Sequence, residues 1–164
     1  MDYGYWALFG AVAVIVIARL SFMWSGGKRA RKTWDRAMAA FQAGEYEAAE
    51  EQLQRLVRKQ PLWTPARRML ARVQIERQKF VEAEEQLLAA TQFEPRNGEA
   101  YADLGWFLAV CTDRRDEALA AFRKALEHAP GLREHLAAAH SLQTVQQEDA
   151  RFRELLSSAK GAGD

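Results

Sequence analysis

Apolar residues are distributed along this chain in two different ways. From Tyr3 to Trp24 they run almost unbroken, with Arg19 as the one charge among 22 residues. From about residue 30 onward they recur every three or four positions, separated by Glu, Arg, Gln and Lys. A continuous apolar helix of that length rises about 33 Å, enough to cross the ~30 Å hydrocarbon core of a bilayer. The three-to-four spacing predicts amphipathic helices, at 30–43, 46–59, 63–77, 80–93, 97–111 and 115–128. Beyond them Leu132, Leu136, Ala139, Leu142 and Val145 form one apolar stripe, and Phe152, Leu155 and Leu156 a second. Helix formers dominate after residue 30 with only four prolines, so the expectation is all-α.

The flanks of the first run refine its reading. Tyr3, Tyr5 and Trp6 at one end and Phe22 and Trp24 at the other sit where aromatic rings favour the headgroup region. Arg19 lies one turn from the second end, within snorkelling reach of the interface. A signal peptide needs a basic start and small residues at its exit; here the start is Met1-Asp2-Tyr3 and the exit Phe22-Met23-Trp24. The expectation is an uncleaved anchor over 1–25 and a basic juxtamembrane linker over 26–32. The chain's net charge of +1 hides an asymmetry. Residues 1–32 carry five basic groups (Arg19, Lys28, Arg29, Arg31, Lys32) against Asp2, whereas the remainder carries 18 basic and 21 acidic groups. By the positive-inside rule the domain then faces the cytoplasm and the N-terminus lies outside.

Prolines recur at Pro61, Pro95 and Pro130, at spacings of 34 and 35 residues. Other positions fall into register with them. A small residue stands at Ala49, Ala83 and Ala118, a large apolar one at Leu53, Leu87 and Phe122, and Leu56, Ala90 and Ala125 follow. The third unit reads Tyr101-x-x-Leu104-Gly105-x-x-Leu108, then Ala118-x-x-x-Phe122, then Pro130; the second has Leu70-Ala71, Ala83-x-x-x-Leu87 and Pro95. The first departs in its first helix, with Arg36-Ala37 where Leu-Gly is expected. This pattern resembles the tetratricopeptide repeat (TPR) family. The resemblance implies an all-α solenoid over 33–130 in three units (about 30–61, 62–95 and 96–130), each an antiparallel helix pair. Capping helices over 131–158 and a frayed tail at 159–164 complete it. Small residues at Ala37, Ala71 and Gly105 are expected to let paired helices approach closely.

Candidate chemistry is sparse. There is no Gly-rich phosphate loop, and one cysteine, Cys111, excludes a disulfide within the chain. His128, His135 and His140 are spaced by 7 and 5, which does not gather them on one helical face. No catalytic set, metal or cofactor is expected, and the chain reads as a non-enzyme. The TPR resemblance implies instead a groove lined by the first helix of each unit, where a partner peptide or helix docks. That places Trp34, Met38 and Phe41 from the first unit, Arg68, Arg72 and Ile75 from the second, and Trp106 from the third in the groove. Residues 55–79 hold eight basic groups and only Glu76 as an acid, which predicts an electropositive stretch. Asp103 nearby is expected to repel a carboxylate. The functional expectation is a single-pass membrane adaptor, with a protein partner and the lipid bilayer as its contacts, in a layout similar to bacterial inner-membrane TPR proteins. Two alternatives stand beside it: a periplasmic TPR in cytochrome c maturation, and nucleic-acid binding through 55–79. The net-acidic domain gives no reason to expect a nucleic-acid partner.

Overall fold

The computed structural model describes residues 28–157, and they are helical apart from short connections. A first helix, α1, occupies 28–42. It is followed by α2 (Tyr46–Lys59), α3 (Thr64–Glu76), α4 (Phe80–Phe93), α5 (Gly98–Val110), α6 (Arg115–His128), α7 (Leu132–Ala138), α8 (His140–Glu148) and α9 (Ala150–Ser157). Helix α3 packs on both α2 and α4, α5 on both α4 and α6, and α3 also touches α5 directly. The result is a one-dimensional stack of helix pairs, an all-α solenoid.

The repeat is visible in backbone geometry as well as in sequence. Each second helix ends two residues before its proline. Gln60, Glu94 and Ala129 share φ between −144° and −126° and ψ of 75–77°, and each donates its N–H to a carbonyl four residues back. The proline ring forbids its predecessor the helical region and imposes that exit each time. Within each pair the turn passes through a left-handed residue: Gly44 (φ 76°), Gln78 (φ 59°) and Asp113 (φ 55°). Only the first unit meets this demand with glycine; in the other two a side chain is held in a conformation it disfavours.

Ala37, Ala71 and Gly105 are buried, and so are Leu53, Leu87 and Phe122. At Gly105 an added Cβ would come within 3.0 Å of the Phe122 ring, so glycine there admits the phenyl group. The core falls into two clusters, one around Leu53, Leu56, Leu70 and Val73 and another around Leu87, Phe107, Phe122 and Phe152. Helix α3 feeds both, with Leu70 and Val73 on one side and Ala71 on the other.

Two expectations need correction or delimiting. Residues 28–32, expected as part of a linker over 26–32, are helical and belong to α1. The anchor expected at 1–25, including Arg19, and the tail at 159–164 lie outside the described residues. Among the described residues no helix is long and apolar enough to cross a membrane.

Candidate functional site

Helices α1, α3 and α5 line a cleft of about 680 Å³ on the inner face of the stack. It is closed at one end by α7 and α8, which contribute Leu132, His135, Leu136 and Ser141 to its wall. Of the seven groove residues expected from sequence, Trp34, Arg68, Arg72, Ile75 and Trp106 come together there. Met38 and Phe41 do not line it. Phe41 packs into the first core cluster and against Tyr46, with ring centroids 5.6 Å apart.

The two tryptophans divide their surfaces between core and cleft. Trp34 is half-buried and leans on Trp63 at a centroid distance of 5.3 Å. Trp106 is also half-buried, and its Nε1 donates to Ser141 Oγ at 2.8 Å, tying α5 to α8. Each offers part of an indole to an incoming apolar group.

The electrostatics differ from the sequence expectation. Arg68 donates to Asp103, and to Glu99 at 2.5 Å, and little of its side chain remains exposed. Asp103 therefore does not stand as an unopposed repelling charge. Burial still pushes its carboxyl above the usual range, against the pull of Arg68 and Arg72. Arg72 is the exposed cation of the cleft; its guanidinium lies 5.5 Å from the Phe41 ring centroid, and it makes no ion pair among the described residues. With Glu76 also on the wall, two arginines face three carboxylates. The cleft is charge-mixed, not electropositive.

The wider basic stretch is dispersed in the same way. Arg55 pairs with Glu51 at 2.5 Å, and Arg77 and Lys79 converge on the buried Glu50. The pairing recurs one unit on, where Arg114 reaches back to Glu84. The bonds to Glu50 and Glu84 staple one unit to the next, whereas the Arg55–Glu51 pair lies within α2. The histidines have separate surroundings: His128 stacks near Tyr101, His135 lines the cleft and His140 bonds Gln143. Burial, with the charge of Glu76, raises the pKa of the half-buried Cys111 thiol, the opposite of what a reactive cysteine requires.

Residues 40–105 match the family model of the tetratricopeptide repeat. The solenoid is TPR-like over a larger span. The TPR domain of Arabidopsis OM64 superposes with a TM-score of 0.60 at 19% identity, covering 76% of this chain and 94% of that one. The first TPR of Spaghetti (RPAP3), solved with an HSP90 peptide SRMEEVD, gives 0.60 at 17% identity over 78% of this chain and 90% of that one. MamA gives 0.62 at 17% identity over 95% and 94% of the two chains. No curated protein sequence matches the chain.

The sequence did not point to the cap as a wall of the cleft. A signal was present in the apolar stripe from Leu132 to Val145, but its register against α5 depends on the packing of three short helices that periodicity does not order.

Proposed function

We propose that this chain is a protein-interaction module that binds a segment of a partner protein in its inner cleft, and that residues 3–24 hold it in a membrane with the repeats on the cytoplasmic side. The carrying observation is the cleft itself, with its half-exposed Trp34 and Trp106, the apolar Ile75 and the exposed Arg72. Aromatic and arginine side chains at the centre of a concave surface are the residue types that dominate protein recognition. The first TPR of Spaghetti (RPAP3), similar in fold, is bound to the HSP90 peptide SRMEEVD, which supports a peptide as the class of ligand. The local charge supports a narrower choice. With Arg68 already engaged by Asp103 and Glu99, one guanidinium is available for a carboxylate, and Glu76 beside it disfavours a polyacidic tail. A segment with apolar anchors and a single acidic group suits the cleft best. The adaptor role and the non-enzymatic reading belong to this proposal.

The test uses the full chain in its native membrane, with a photo-crosslinking residue at position 72 or, as a control, at the exposed position 123 on α6 outside the cleft. The expected result is a discrete partner captured from position 72 and not from 123. Arg72→Glu is expected to weaken that partner's binding about ten-fold, as loss of one charge-assisted bond would do. Equal capture from both positions, or binding indifferent to Arg72→Glu, rejects the cleft as the site.

A further inference from the structure

A second surface lies on α1, away from the cleft. At about 100° per residue, Lys28, Arg29, Lys32 and Arg36 fall within an arc of roughly 100° on this helix. All four are exposed. The buried side of α1, marked by Ala37 with Ala30 and Phe41 beside it, is nearly opposite. Asp35 is the one acid on the exposed face, and Arg31 neutralises it at 3.2 Å. Lys32 and Arg36 make no ion pair among the described residues. From sequence, residues 26–32 are expected as a basic juxtamembrane linker. In a helix continuous with the repeats their charges become a fixed basic stripe on a rigid body.

We infer that this stripe docks on an anionic bilayer surface, laying α1 along the headgroups and so setting which way the cleft faces. Charge complementarity is one argument: basic residues near an anionic leaflet are attracted within a Debye length. Chain continuity is the other. The apolar run ends at Trp24, and Lys28, four residues later, already lies in α1, so the stripe cannot be far from the surface in which that run is read to lie. The choice of a membrane as partner rests on the anchored reading proposed above; the stripe itself does not.

The two orientations of α1 differ measurably. An upright helix holds position 39 about 20 Å above the headgroups, whereas a lying one brings it within about 10 Å. The full chain carrying Ala39→Cys and Cys111→Ser, labelled with a donor dye, is reconstituted into vesicles with an acceptor on the headgroups. The expected result is stronger energy transfer with about one-third phosphatidylglycerol than with phosphatidylcholine alone, and loss of the difference at about 0.5 M salt. Lys32→Glu with Arg36→Glu is expected to abolish it as well. Equal transfer in both lipids, or a difference that survives the double reversal, overturns the inference. So does binding of a random DNA duplex through Lys32 and Arg36 without any response to phosphatidylglycerol. Flotation separates the two readings. A chain that fails to float with neutral vesicles sinks the anchor, while flotation that needs phosphatidylglycerol and both basic residues sustains the stripe alone.

Discussion

Glu50 shows how a single charge is held in this fold. It is almost fully buried on α2 and accepts from Arg77, from Lys79 at 3.0 Å and from Gln54 at 3.0 Å. Burial alone would raise its carboxyl; the bonds to Lys79 and Arg77 outweigh burial and leave it below its ordinary value of 4.5. A carboxyl depressed by folding contributes stability that is complete above its unfolded pKa and disappears as pH falls through the folded one. Glu50→Gln is therefore expected to cost about 1–3 kcal/mol at pH 7. The gap between parent and variant should close progressively below about pH 4.5. Denaturant unfolding of both proteins across that range checks the sign: a gap that widens on acidification refutes it.

At the scale of elements, the tightest constraint is where α5 begins. Asn97 caps this helix by accepting from the Ala100 N–H at 3.0 Å. Gly98 follows directly, against the end of α6. An added Cβ there would lie 2.5 Å from the Ala129 Cβ and 2.7 Å from the Ala125 carbonyl oxygen. The second contact is with backbone, so side-chain rotation cannot relieve it. Gly98→Ala is expected to destabilise by about 1–3 kcal/mol through overpacking. Adding Ala129→Gly should restore only part of that loss, since the carbonyl remains. A melting temperature for Gly98→Ala equal to that of the parent would contradict the close approach of α5 and α6.

For the molecule as a whole, the question is how the stack ends. Three short helices, α7 to α9, cover the last repeat through Phe152, which is fully buried and meets Phe122 edge-on at a centroid distance of 6.0 Å. Arg151 reaches Asp116 at 2.6 Å, and Arg115 reaches Glu148 at 2.5 Å, joining cap to α6. Because α7 and α8 also wall the cleft, the cap supports the binding surface as well as the core. Phe152→Ala is expected to cost about 3–5 kcal/mol. Hydrogen exchange should then rise first in 132–157 and at Trp106, while the first repeat keeps its protection. Uniform loss of protection along the chain would mean that the repeats and cap unfold as one unit.

Much of this was legible in the sequence, because it depends on local chemistry repeated at a fixed interval. A proline stops a helix by its own ring, so Pro61, Pro95 and Pro130 marked the unit boundaries. Leu53, Leu87 and Phe122 could be placed in the core because the same face of the same helix recurs each time. The inner placement of Trp34, Arg68, Arg72, Ile75 and Trp106 was implied by the resemblance to the tetratricopeptide repeat. What only the tertiary structure decided is which charges remain unspent and where the solenoid stops. Arg68 and Arg72 are equivalent in composition and four residues apart, yet Asp103 and Glu99, more than thirty residues away, accept hydrogen bonds from the first and not the second. Pairing across a stack depends on the distance between side chains of successive units, which no local pattern encodes. Phe41 was likewise drawn into the core by Tyr46, and the cap into the cleft, by contacts that exist only after the helices pack.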